Sequence, residues 1–314
     1  MIDPESFIEE KVEEIKEADG KAVVGCSGGV DSTVSAVLAS RALGDDLLAI
    51  YVDTGYMRKN ETEGMKSIFQ DMGINHRIID AREEFYEAME GVKDPEEKRK
   101  IIGNKFIEIF EREAENFDAD YLVQGTIAPD WIESGDEERD TIKSHHNVGG
   151  LPEEMGLDLI EPLYDLYKDE VREVAKELGL PTAEKQPFPG PGLAIRVMGE
   201  ATPERTEIVR EACHIVETEI EEAAEKGEMK RPWQYFAVLL PVKTVGVQGD
   251  KRAYGHTIAI RAVHSLDAMT ASFSRIPMDV LDRISTRITN QMKNEVNRVV
   301  YDVTNKPPGT IEWE

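Results

Sequence analysis

The sequence predicts an α/β fold: a parallel sheet with helices on both faces, followed by a smaller α+β domain. Three observations carry that expectation. Strand and helix signals alternate over residues 1–187. A glycine-rich turn at 27–32 joins a β-branched run to a helical pattern. A proline–glycine break at 187–192, PFPGPG, precedes a different order of elements, so two domains are expected, 1–187 and 188–314.

The elements follow in order. Residues 4–18 predict an amphipathic helix with Phe7, Ile8, Val12 and Ile15 on one side. Strands are expected at 21–26, 47–52, 75–79 and 120–124, with helices between them at 31–42, 61–72 and 95–117. In the last, Ile102, Phe106, Ile109 and Phe110 share a face. Ligands of such sheets bind at the carboxyl ends of the strands, where Ser27, Asp53 and Gly125 fall. Beyond the break, a helix at 203–226 precedes strands near 234–240, 243–247 and 254–263. A helix at 277–294 and a strand at 296–303 complete the second domain.

Composition narrows the class. The chain has 314 residues, enough for two domains with a sizeable core, and 40% of them are hydrophobic. No apolar run reaches membrane-spanning length, and the acidic N-terminus is no secretion signal, so a cytoplasmic, membrane-free protein is expected. Its 2 cysteines make neither a disulfide framework nor a CxxC metal site. Lys and Arg total 37 against 63 Asp and Glu, a net charge of −26. Such a chain repels nucleic acid unless cations are gathered locally. The charge fits a high-salt cytoplasm or simply solvated acidic helix faces. Lysines and arginines inside glycine-rich motifs therefore gain weight as anion ligands.

The most informative stretch is Ser27, Gly28, Gly29, Val30, Asp31 and Ser32. Glycines permit positive φ and close approach of backbone to a ligand. Their N–H groups and the following helix N-terminus suit an anion, most often phosphate. Ser27 and Ser32 add hydroxyls, and Asp31 adds a carboxylate for a metal beside the phosphates. The alternative makes Ser and Asp helix caps only. The order strand, loop, helix favours the anion site. The loop is neither a Walker A motif, which needs a lysine after the glycines, nor GxGxxG.

Other motifs have two readings each. Asp53, ending AIYVDTG, either binds ribose or adenine edges or caps a turn. Gly125, in QGT, offers backbone groups to a base. The 142–150 loop, IKSHHNVGG, places Lys143 on a phosphate as a point charge. Its adjacent histidines, His145 and His146, lack further ligands at a zinc spacing. PFPGPG either spaces two domains or presents Arg196 to an anion. The 243–252 hairpin carries a basic pair at its tip. The carboxyl end, NKPPGTIEWE, has two prolines and a tryptophan and is expected to be tied down in a site or interface.

The 27–32 loop resembles the pyrophosphate loop of N-type ATP pyrophosphatases, which cleave ATP between its α and β phosphates. SGGVDS, VDTGYMRKNE, QGTIAPDWIES, IKSHHNVGGLPE, PFPGPGLAIR, KTVGVQGDKRAYGHTIAIRAV and KPPGTIEWE together resemble GMP synthetase from residue 27 to 314. That resemblance implies an adenine nucleotide alpha-hydrolase-like fold for 1–187 and an XMP-binding dimerisation domain for 188–314. It implies ATP in Ser27, Gly28, Gly29, Val30, Asp31, Ser32, Val52, Asp53 and Gly125, with Mg²⁺ on Asp31. Asp31 and Lys143 are the catalytic residues it implies. XMP would meet Arg196, Gln248, Lys306, Ile311 and Glu312, the cations on its phosphate and Glu312 on the purine edge.

The implied reaction adenylates XMP, releases pyrophosphate, and lets ammonia displace AMP to give GMP. No glutamine amidotransferase domain precedes the loop, and no Cys-His-Glu constellation is visible. The resemblance thus implies the separate synthetase subunit of a two-subunit, archaeal-type enzyme, whose amidotransferase partner supplies ammonia. A homodimer is implied too. Lys185 stands where family members often carry Arg, and is left outside the catalytic set. Rival readings are NAD synthetase, a tRNA thiolase or a nucleotide-binding module without turnover. A thiolase needs a reactive cysteine and a basic surface. Cys26 in a strand, Cys213 in an amphipathic helix and the −26 charge oppose it.

Overall fold

The computed structural model describes residues 2–129, 156–248, 251–266 and 268–314. Its chain divides into two compact units. One comprises Met1–Thr54, Asn60–Ala81 and Gly103–Gly190; the other comprises Gly55–Lys59, Arg82–Ile102 and Pro191–Glu314.

The first unit is built on a five-stranded parallel sheet of order β3-β2-β1-β4-β5. Its strands are β1 (Ala22–Gly25), β2 (Leu47–Asp53), β3 (His76–Asp80), β4 (Tyr121–Val123) and β5 (Asp158–Ile160). β1 and β2 are apolar on both faces, as a covered parallel sheet requires, and all but their last residues are buried. α1 (Pro4–Ile15) starts with Pro4 in its first turn, where a missing N–H costs nothing. α2 (Val30–Leu43) and α3 (Glu61–Asp71) follow β1 and β2. The short α4 (Arg82–Ala88) and the start of α5 (Pro95–Phe117), as far as Ile102, belong to the second unit, and the rest of α5 leads to β4. The chain steps from β1 outward to β3, then returns to β1's other side as β4. Right-handed crossovers in opposite directions put helices on both faces. Phe106 and Phe110 of α5 close over Gly25, where an added Cβ would lie 3.3 Å from the Phe110 ring. The reversal of strand order falls between β1 and β4, the switch point where such sheets bind ligands.

α6 (Lys168–Glu177) packs on α1 and α2 through Val171, Val174 and Ala175. Among the described residues, β5, α4 and α6 were not expected from the sequence. β5 is three residues long, too short to show a period.

The second unit centres on a long antiparallel hairpin, β6 (Gln234–Gln248) and β7 (Lys251–His264). β8 (Ser272–Phe273) and β9 (Val296–Tyr301) both pair with β7, antiparallel and parallel respectively. α7 (Pro203–Glu225) covers β6, and α8 (Met278–Gln291) covers α7 and β9. Thr202 caps α7, accepting from Arg205 N at 3.3 Å. The two strands expected at 234–240 and 243–247 are one strand. Its register slips between Leu239 and Lys243, around Pro241, which has no N–H to give the ladder.

Candidate active site

In the first unit the turn after β1 sits at the switch point. Gly28 has φ +80°, a conformation only glycine adopts without strain. Gly29 is the N-cap of α2, and no side chain caps the helix. The cap-only reading of Ser27, Asp31 and Ser32 therefore fails. The first-turn N–H groups of α2 have no intrahelical acceptor. Ser27 Oγ and Ser32 Oγ lie 3.4 Å apart, and Ser32 Oγ also receives Ser27 N at 3.3 Å. Backbone donors, two hydroxyls and a helix N-terminus thus converge on one loop, the requirement for holding a phosphate chain.

Asp31 faces this loop. Its Oδ1 is buried and has no hydrogen-bond partner among the described residues, while Oδ2 takes the ammonium of Lys168. An orphaned carboxylate oxygen beside two hydroxyls is a hard-oxygen set that fits Mg²⁺, which binds by one or two carboxylates plus phosphate oxygens. Among the described residues no cluster of three or more His, Cys, Asp or Glu forms a metal cage. A metal here would depend on its anionic ligand for the remaining bonds.

A second lysine closes the other side. Lys185 Nζ pairs with the buried Glu61 carboxylate and donates to Gly28 O at 3.2 Å. Each lysine is matched by a carboxylate, Lys168 by Asp31 and Lys185 by Glu61, so two ion pairs flank the loop. Sequence reasoning missed Lys168 and left out Lys185. The signal for Lys185 was its place one residue before PFPGPG, with Gln186 between; Lys168 opens a helix that was not expected.

Val52 is buried in β2, and Asp53 at its end accepts from Thr62 Oγ1 at 2.8 Å, tying β2 to the first turn of α3. Gly125 follows β4 and approaches the start of α2 so closely that a Cβ would lie 3.0 Å from the Asp31 carbonyl carbon. It is a close-approach glycine that lets the two sides of the switch point meet. Lys143, His145 and His146 lie outside the described residues.

In the second unit the structure brings Arg196 and Glu312 together. Arg196 Nε and Nη2 donate to the two Glu312 oxygens at 3.1 and 2.8 Å, the fork geometry of a bidentate pair. The guanidinium is fully buried and stacks 4.1 Å over the Phe236 ring. Burial opposes its charge, and the Glu312 carboxylate more than offsets that, so its pKa lies above the ordinary value. Gln234 Nε2 adds a bond to Glu312 at 3.1 Å.

The 305–314 segment is tied down throughout. Lys306 donates to Ala268 O at 2.8 Å, and Ile311 is buried. Arg261, fully buried and missed in the sequence, donates to Ile311 O at 3.4 Å and Thr310 O at 3.0 Å. Trp313 Nε1 reaches Asp302 Oδ2 at 3.0 Å. Gln248 ends β6, opposite Lys251.

Comparison with known proteins decides the family. Over 315 residues, 99% of this chain and 99% of the relative, the sequence is 62% identical to a subunit of glutamine-hydrolyzing GMP synthase from Thermococcus kodakarensis. The chain belongs to the family of this GMP synthase subunit. Family members from Thermoplasma acidophilum and Methanopyrus kandleri are 57% and 58% identical, across 98% and 100% of this chain and 99% and 100% of theirs. The GMP synthase C terminal domain model matches residues 221–313, and the NAD synthase model matches 2–114. Neither cysteine suits thiolase chemistry: burial pushes Cys26 up to about 12 and Cys213 up to about 11, so both stay thiols at neutral pH.

Loop geometry gives a first prediction for this member of the GMP synthase family. In Gly28→Ala the new Cβ would lie 2.5 Å from Glu61 Oε1, in a φ region that costs an L-residue about 1–2 kcal/mol. Pyrophosphate affinity, measured by calorimetric titration, should fall about 100-fold, because a displacement near 1 Å suffices for that. Unchanged affinity would remove the loop from the anion site.

Proposed function

We propose that the chain aminates XMP to GMP at the expense of ATP, releasing AMP and pyrophosphate, with ammonia from a separate glutamine amidotransferase subunit. One observation carries this most: an uncapped Gly28–Gly29 turn beside an Asp31 oxygen that is buried without a partner. That is a site for a polyphosphate with its cation. The relatives are named as one subunit of a glutamine-hydrolyzing enzyme, which supports an amidotransferase partner.

In this reading Ser27, Gly28, Gly29, Val30 and Ser32 hold the β and γ phosphates of ATP, and Val52, Asp53 and Gly125 line the nucleoside side. Asp31 holds Mg²⁺, which when bound neutralises the pyrophosphate and makes it a better leaving group. Lys168 and Lys185 leave their carboxylate partners for phosphate oxygens, and Lys143 adds a third cation. The O2 oxygen of XMP attacks the α phosphorus and pyrophosphate leaves. Ammonia then attacks C2 and expels AMP. No protein nucleophile is needed; positioning and charge stabilisation carry the catalysis. Arg196, Gln248, Lys306, Ile311 and Glu312 recognise XMP. Residues 1–187 act as the nucleotide-binding domain and 188–314 as the XMP-binding and dimerisation domain.

Homodimerisation is part of the proposal. Val242, Val245, Val247 and Tyr254 are exposed on the β6–β7 hairpin, an apolar stripe suited to a second copy. No helix among the described residues is long and apolar enough to cross a membrane.

The test is an assay of the purified chain with ATP, Mg²⁺ and XMP. With ammonium, AMP, pyrophosphate and GMP should appear in equal amounts. With glutamine alone, little or no GMP should form until the amidotransferase is added. Absence of GMP with ammonium would sink the reading, and turnover with glutamine alone would sink the separate ammonia source.

A further inference from the structure

Lys98 is a buried cation that the proposed chemistry does not use. It lies in the first turn of α5, four residues before Ile102 on the apolar stripe, and its side chain is wholly inaccessible. Burial lowers its pKa, and the Glu314 carboxylate pulls the other way. An ammonium has three donors, and Lys98 has three acceptors. Ala194 O lies at 3.1 Å and Val197 O at 2.8 Å, so two of them bracket Arg196 in sequence. The third is Glu314 Oε2, two residues past Glu312.

Glu314 is itself fixed. Its Oε1 accepts from Gly199 N at 2.9 Å, and Arg99 Nη2 donates to its main-chain oxygen at 2.6 Å. One ammonium therefore grips the turn that carries Arg196 and the segment that carries Glu312. Those two arms meet in the bidentate pair. As a source of stability alone a buried ion pair is weak, since desolvation offsets most of its attraction. Its distinctive product is geometry, and the geometry fixed here is that of Arg196 and Glu312.

We propose that Lys98 is a positioning residue for the purine nucleotide: by holding Glu314 and the two carbonyls beside Arg196, it sets the reach and angle of the Arg196–Glu312 pair toward XMP. The proposal rests on the XMP reading above. It places no demand on Lys98 to touch substrate.

Glu314→Gln in the full chain tests it. Lys98 and Gly199 N–H meet different oxygens of Glu314, and glutamine replaces one of these with an amide nitrogen that only donates, so one of the two contacts is lost. Steady-state assays with ammonium should show KM for XMP rising about tenfold or more. KM for ATP and kcat at saturating XMP should stay within about twofold, the signature of a lost binding interaction rather than lost chemistry. Lys98→Met should raise KM for XMP further, and Lys98→Arg should restore part of it. Should Lys98→Met fail to fold, Glu314→Gln decides alone. An unchanged KM for XMP with a lowered Tm overturns the proposal, leaving a structural staple. A parallel rise in KM for ATP overturns it too. If the unaltered chain makes no GMP from XMP and ammonium, the functional reading fails instead, so the two failures are distinguishable.

Discussion

Asp31→Asn should lower AMP formation by about two to three orders of magnitude, the scale lost when one preorganised charge-stabilising group is removed. The substitution keeps shape and removes charge. Fold should survive it, because Asp31 does not cap α2: Gly29 is the N-cap and no side chain bonds there. The lost pair with Lys168 involves a lysine side chain 44% exposed, and such pairs are worth about 0–1 kcal/mol. Rate and stability should therefore separate. The measurements are AMP release under saturating ATP and XMP, and a thermal melt without ligand. Near-normal AMP release would show that the buried Oδ1 serves no cation.

Arg196→Met should cost stability instead, about 3–5 kcal/mol, the penalty for removing one partner of a buried pair. Glu312, 16% exposed, would keep a charge with Gln234 as its remaining side-chain donor. The stacking on Phe236 would be lost as well. Denaturant unfolding followed by tryptophan fluorescence should show the loss as a lower midpoint. The double variant Arg196→Met, Glu312→Leu should regain much of it, since an apolar pair replaces an uncompensated charge. It should not regain XMP binding. A single variant as stable as the parent would mean that Glu312 rehydrates freely, which its burial argues against.

Much of the first unit was legible because its signals are local and redundant. β1 and β2 are continuous apolar runs, and the turn between β1 and α2 is punctuated by two glycines, so strand, loop and helix could be placed from residue types alone. The same holds for α7, with its Thr-Pro start. What stayed hidden depends on contacts between distant segments. Nothing near Lys168 in sequence announces Asp31, 137 residues away. Glu61 reads as an ordinary first-turn acid until Lys185 is seen above it, 124 residues on. Lys98 did leave a trace: a lysine spaced four residues from Ile102 on an apolar stripe. Arg261 left none, since an arginine in a strand reads as an outward-facing charge. Pro241 was visible, but a proline inside a strand reads as its end, whereas here it marks a slip of register.

The order of synthesis gives the Arg196–Glu312 pair a further consequence. Lys98 precedes Glu314 by 216 residues, and Arg196 precedes Glu312 by 116. On the ribosome both cations are made long before their carboxylates. Burying either one early would leave its charge uncompensated, at a cost of several kcal/mol. Both ion pairs of the second unit thus form only once the 305–314 segment has been made. An unfinished chain therefore has no assembled Arg196–Glu312 fork.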